Sequence, residues 1–216
     1  MDTKTTEQLR DFGCIPINLS ALAGLLDDYH SPRDKVSYMV KQGALVRLKR
    51  GLYCVSTQVT GQRLSNELIS NHLYGPSYVS LETALAFYNL IPERVVATQS
   101  VITRRAKEFE TPLGRFIYKT VPEGYYSLGV RQEHINARYV FLIATPEKAL
   151  CDLILLRPNL RITSEKAMHA FLEENMRVDF QELTNPDLSI IDACIATNHK
   201  ATELRWLRKV LEHECV

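Results

Sequence analysis

"GALVRLKRGLYCV", residues 43–55, alternates apolar with basic side chains, reaches Lys49-Arg50-Gly51, and resumes with Leu52, Tyr53 and Val55. Alternation at period two predicts strands on either side of a turn, so the stretch reads as a short hairpin turning at Lys49-Arg50-Gly51. Arg47, Lys49 and Arg50 place three positive charges on it with no acid among them. An ordinary solvated hairpin carries such a run without further purpose. What precedes the hairpin decides whether this one is built for an anionic partner.

Ser31-Pro32-Arg33-Asp34 is a strong helix start: serine as N-cap, proline at the first helical position, an acid at the third. The spacing predicts a helix over 33–42 that stops at Gly43. Val36, Met39 and Val40 fall on one stripe and are expected to be buried, whereas Asp34, Ser37, Tyr38 and Lys41 share the opposite arc, flanked by Arg33 and Gln42. An earlier helix, NLSALAGLLDD, has Asn18 as N-cap and a stripe of Leu22, Leu25 and Leu26. A short turn, Asp28-Tyr29-His30, joins the two. The order is helix, tight turn, helix, basic hairpin, the arrangement of a winged helix-turn-helix, whose second helix enters the major groove. The expected DNA-binding residues are Arg33, Lys35, Ser37, Tyr38 and Lys41 on the helix. On the wing, Arg47, Lys49 and Arg50 would hold backbone phosphates.

Charge supports that geometry. Ser31–Arg50 contains six bases and one acid, a net +5, while the 216-residue chain as a whole carries only +1. The remainder is therefore net acidic, and the basic face is local, as binding through counterion release requires. A winged helix used for docking a protein is the alternative. Clustering of bases on both the exposed helix arc and the hairpin argues for DNA.

The other broad classes find less support. Hydrophobic residues make up 45% and charged residues 24%, a globular composition. No apolar run reaches the roughly 18 residues of a membrane span, and MDTKTTEQLRDFG lacks a secretory signal's apolar segment, so a cytoplasmic location is expected. Cys14, Cys54, Cys151, Cys194 and Cys215 are scattered, as are the six histidines, and neither set has zinc-ligand spacing. The cysteines are expected to be reduced core thiols, and no metal or cofactor is expected.

Behind residue 57 the pattern changes. Helices are expected near 62–73 and over 81–89, with Ala84, Leu85 and Tyr88 as the buried stripe of the latter. Strands are expected near 95–103, 115–121 and 138–144, with TPLG at 111–114 turning between the first two. After residue 145 the chain is mostly helical. The fold class is α+β: a winged helix-turn-helix over residues 1–57, then a mixed α/β domain over 58–216 with a helical tail. Since helix and strand signals continue independently of the hairpin, a fragment lacking residues 1–57 is expected to fold.

Catalysis is not expected. Cys151-Asp152 lies mid-helix on a leucine-rich face, no glycine-rich phosphate loop is present, and Glu147-Lys148 and Glu165-Lys166 sit at helix starts where acids are common. A second basic stretch, "ITRRAKEFETPLGRFIYK" (102–119), holds Arg104, Arg105, Lys107, Arg115 and Lys119 against Glu108 and Glu110. A solvated hairpin explains it. The alternative is an accessory nucleic-acid surface, with Phe109, Phe116 and Tyr118 among the cations.

Three stretches in this order carry a family resemblance: "MVKQGALVRLKRGLYCV" (39–55), "YVSLETALAFYNLIP" (78–92), in which Ser80 is read as a cap, and "IATPEKALCDLI" (143–154), with Thr145 as N-cap and Pro146 at the first helical position. They resemble the AbiEi-type antitoxins, the transcriptional regulators of bacterial abortive-infection (type IV) toxin–antitoxin systems, over about residues 18 to 157. The resemblance implies a two-domain repressor that binds its own promoter. It also implies a second domain that opposes a nucleotidyltransferase-like toxin without forming a stable complex with it. The competing expectations are a winged-helix transcription factor with a ligand-sensing or dimerising C-terminal domain, and a DNA-targeted nucleic-acid-processing enzyme.

Overall fold

Two short helices prepare the hairpin, and each begins where a polar side chain can start it. The computed structural model, which describes residues 3–27, 29–93 and 95–215, shows α1 (Thr3–Arg10), β1 (Ile17–Asn18), α2 (Leu19–Leu25) and α3 (Pro32–Lys41) in succession. Asn18 Oδ1 accepts from the Ala21 N–H at 2.8 Å and caps α2. Ser31 stands at the N-cap of α3 but does not accept a cap bond; its hydroxyl donates to Asp34 Oδ2 at 2.7 Å. Gly43 follows α3 with φ +72°, the left-handed conformation that ends a helix. Asp28, in the turn between α2 and α3, lies outside the described residues.

β2 (Leu45–Lys49) and β3 (Leu52–Val55) form the hairpin, and β1 adds to β3, giving an antiparallel sheet in the order β1-β3-β2. The register slips between Arg47 and Lys49, a bulge beside the turn. Leu22, Leu26, Val36, Met39, Leu45, Tyr53 and Val55 close a small core, with Val40 only half-buried against it. The other face of the hairpin belongs to a different cluster. Leu48, Leu52 and Cys54 pack with Ile69, Leu73, Ile102, Phe116 and Tyr118 from beyond residue 57. Burial pushes the Cys54 thiol up to about 12. A boundary at residue 57 therefore cuts through a shared apolar cluster, and removing residues 1–57 would uncover five large side chains.

After α4 (Thr57–Thr60) and α5 (Asn66–Leu73) come β4 (Tyr78–Val79), α6 (Leu81–Phe87), β5 (Ala97–Ile102), β6 (Lys107–Thr111), β7 (Gly114–Thr120), α7 (Glu123–Tyr126), β8 (Val130–Ile135) and β9 (Tyr139–Ala144). The chain is α+β, with a six-stranded mixed sheet in the order β6-β7-β5-β4-β9-β8. β5 runs parallel to β7 and β4 parallel to β9; the other pairs are antiparallel. The turn at Thr111–Gly114 thus joins β6 to β7, and not the strand near 97–102 to the one near 115–121, as the sequence suggested. β6 is the reason: Lys107–Thr111 holds one large apolar side chain, Phe109, and gives no strand signal on its own.

α8 (Pro146–Leu156), α9 (Glu165–Ala170), a π-helical turn (Phe171–Asn175), α10 (Leu188–Ala196) and α11 (Ala201–Glu214) complete the fold. Thr145 caps α8, accepting from the Lys148 N–H at 3.3 Å. Ser80 precedes α6 without capping it. Its hydroxyl turns inward to Asp152.

Candidate nucleic-acid interface

α3 buries Val36 and Met39 and leaves Arg33, Ser37, Tyr38 and Lys41 exposed, Tyr38 at 53% of its surface. The exposed arc is held in shape locally: Ser37 Oγ donates to the Arg33 carbonyl at 3.0 Å. Lys35 is partly withdrawn, its ammonium 4.2 Å from the Tyr29 ring centroid, where a cation–π contact competes with outward reach. Packing of α3 on β2 brings helix and hairpin together, since Ser37, Val40, Lys41, Arg47 and Tyr53 line a single cleft of about 210 Å³. Arg33, Lys41, Arg47 and Arg50 are exposed and make no ion pair with any described acid.

Lys49 departs from its neighbours. It is half-buried and donates to the Leu73 carbonyl, with its ammonium 5.9 Å from the Phe109 ring centroid. Burial, and then the charge of Lys107, lowers its pKa from the usual lysine value. Lys49 is a seam residue, and its ammonium is already engaged.

The second basic stretch is split by the structure. Arg104, Arg105 and Lys107 are exposed, Lys119 is half-buried, and Arg115 is occupied by Glu108 and by Glu110 at 3.4 Å. Its bond to Glu108 raises the Arg115 pKa. Phe116 and Tyr118 face the core, and the Tyr118 hydroxyl donates to the Ser70 carbonyl at 2.7 Å. They form no platform for bases. What stays accessible is a patch near Tyr74, Arg105 and Lys107, where Lys107 Nζ lies 4.8 Å from the Phe109 centroid and 5.5 Å from that of Tyr74.

The polar centre of the core was not foreseen from the sequence. Lys148 and Asp152, one turn apart on α8, are both fully buried, with Nζ 3.1 Å from Oδ1. Lys148 also donates to the Tyr125 carbonyl at 3.0 Å and lies 3.2 Å from that ring's centroid. Asp152 Oδ2 accepts from Ser80 Oγ at 2.6 Å and from the Tyr78 hydroxyl at 3.0 Å. Burial and the Asp152 carboxylate raise the Tyr78 pKa far above the phenol range. The buried carboxylate is what draws Ser80 away from capping α6. The available signal was the i,i+4 Lys–Asp spacing of EKALCD, indistinguishable there from a solvated pair.

Cys14, Cys54, Cys151 and Cys194 are buried free thiols. Near the C-terminus His169 contacts Glu173 at 3.3 Å and Glu214 at 3.1 Å, and His213 contacts Glu165 at 2.7 Å. Among the described residues, no group of three or more His, Cys, Asp or Glu is placed to hold a metal ion, and no helix is long and apolar enough to cross a membrane. In comparisons with known proteins, no family model matches this sequence and no curated protein is significantly similar to it.

Proposed function

We propose that the chain is a DNA-binding transcriptional repressor, with residues 1–57 acting as a winged helix-turn-helix. The observation that carries this reading is the set of exposed cations without acidic partners on α3 and the hairpin: Arg33, Lys41, Arg47 and Arg50. A face of unpaired cations suits a polyanion, because each phosphate neutralised releases a counterion. In this reading Arg33, Ser37, Tyr38 and Lys41 reach base edges in the major groove, and Arg47 and Arg50 hold the flanking backbone. Lys49 contributes through the seam more than through phosphates.

The resemblance to AbiEi-type antitoxins extends the proposal: the repressor autoregulates its operon, and the part after residue 57 opposes a nucleotidyltransferase-like toxin from a neighbouring gene. The ligand-sensing alternative has less to hold. One open cleft of about 700 Å³ sets Asn89, Glu173, Arg177, Asp179, Gln181 and Glu214 beside Pro92, Val178 and Phe180, a mainly polar lining where small-molecule sites are mostly apolar.

Titration of the protein with its own promoter DNA at several salt concentrations tests the repressor reading. Alanine at both Arg47 and Arg50 is expected to weaken all sequences alike and to flatten the salt slope by roughly two units. Equal affinity of this variant and wild type would end the proposal. Co-expression with the neighbouring toxin gene tests the antitoxin reading: full-length protein should restore growth. Failure to do so leaves a repressor without antitoxin activity.

A further inference from the structure

The two edges of the six-stranded sheet are finished differently. β6 is approached by the β2 strand of the hairpin, where Lys49 and Lys107 flank Phe109. Among the described residues β8 pairs with β9 alone, in unbroken register from Val130↔Ala144 to Ile135↔Tyr139. It contains no proline, lysine or bulge, three devices that keep an open edge from pairing, and its two charges, Arg131 and Glu133, are of opposite sign.

The hydrogen bonds show which main-chain groups of β8 are spare. The Gly129 carbonyl accepts from Thr145 N–H at 2.8 Å, and the Ile135 carbonyl from Arg138 N–H at 2.9 Å in the closing turn. Leu142, opposite Gln132, turns its N–H and carbonyl to the Asn71 side chain, at 2.6 and 3.3 Å. Bonded and non-bonded pairs alternate in an antiparallel ladder, so the odd-numbered residues of β8 bond β9. Val130, Gln132 and His134 turn theirs outward, and no described residue pairs with them.

We propose that β8 pairs antiparallel with β8 of a second copy of this chain, across a two-fold axis at Gln132, joining the two sheets into one. Charge selects the register. With Gln132 opposite Gln132 of the second copy, Arg131 stands opposite Glu133 of the second copy, and the reverse, while Val130 meets His134. A slip of two residues in one direction sets Arg131 against Arg131, and in the other Glu133 against Glu133. A slip of one residue opposes outward groups to inward ones. Within each strand Arg131 Nη2 already lies 2.7 Å from Glu133 Oε2, so the pairing surrounds the axis with four charges of alternating sign. Val140, 39% exposed and opposite His134, adds apolar surface beside the seam. The interface is self-complementary, as a two-fold dimer demands. It does not depend on DNA binding; where both hold, the dimer sets two copies of α3 about one axis, the symmetry of a palindromic site.

Sedimentation of the full-length chain over a concentration series tests the pairing. Wild type is expected to reach twice the monomer mass. Arg131→Glu and Glu133→Arg should each weaken association on the order of tenfold or more, through like charges face to face. An equimolar mixture of these two variants should associate again, because every cross-strand pair is then of opposite sign. Gln132→Pro removes an outward N–H that β9 does not use, and should give a monomer with the wild-type circular dichroism spectrum. Because Arg131 also lies over the Tyr88 ring, Gln132→Pro and Glu133→Arg decide the matter if Arg131→Glu fails to fold. A wild type that stays monomeric, a dimer that survives Gln132→Pro, or a mixture no more associated than its components would overturn the inference.

Discussion

The cations of α3 and the β2–β3 hairpin and the single ammonium of Lys148 occupy opposite environments. Arg33, Lys41, Arg47 and Arg50 stand in solvent, ion-paired with no described acid, on elements whose apolar faces pack into the core. Lys148 stands in the core, paired with Asp152 and donating to the Tyr125 carbonyl, while Ser80 and the Tyr78 hydroxyl donate to Asp152. An exposed charge is solvated already and needs no partner for the fold to be stable; a buried one must be matched completely. The hairpin cations are thus free for an external anion, whereas Lys148 and Asp152 are committed to holding α8 against α6 and α7.

The most severe way to break this contrast is to remove half of the buried pair. Lys148→Ala leaves Asp152 buried without its counter-charge and is expected to destabilise the protein by about 3–5 kcal/mol. Urea unfolding followed by circular dichroism measures it. Replacing both members by apolar residues, Lys148→Met with Asp152→Leu, is expected to recover part of that loss. Recovery will be incomplete, because Ser80 and the Tyr78 hydroxyl then lose their acceptor. A double variant as unstable as the single one would show that packing, and not charge, dominates the site.

Lys49 tests the boundary between the two classes. Its ammonium bonds the Leu73 carbonyl yet remains partly in solvent, so Lys49→Met should cost on the order of 0.5–1 kcal/mol after allowing for screening. The same substitution should change the salt slope of DNA binding less than Arg47→Ala does. Smaller still is the expected stability change for alanine at both Arg47 and Arg50, within about ±0.5 kcal/mol, despite the loss of DNA affinity expected of that variant. The smallest effect on DNA binding is expected from Arg115→Ala, because Glu108 and Glu110 already hold that guanidinium; an affinity loss matching Arg47→Ala would place the second hairpin inside the interface.

Legibility followed the same division. The helix expected at 33–42 is found at Pro32–Lys41, with the expected residues exposed, because caps, glycine and helical periodicity act within a few residues of one another. Leu25 and Val40 are half-buried where full burial was expected, since they lie at the rim of a small core. β6 and β8 escaped notice because edge strands bury little: KEFET and VRQEHI lack the apolar alternation that marks a half-buried strand. Phe116 and Tyr118 looked available for nucleic acid, yet the face they occupy on β7 is covered by α5 and the hairpin.

The sequence by itself determined the local events: where α3 and α8 begin, where Gly43 and Gly51 turn the chain, and which arc of α3 meets solvent. Each depends on neighbours no more than about one helical turn apart. Only the tertiary structure decided that β5 lies parallel to β7 with β6 outside them, that Leu48 and Leu52 serve a core beyond residue 57, and that Ser80 donates a hydrogen bond to Asp152, 72 positions away. Those outcomes arise from contacts between distant segments, whose energies exist only once the chain has brought them together.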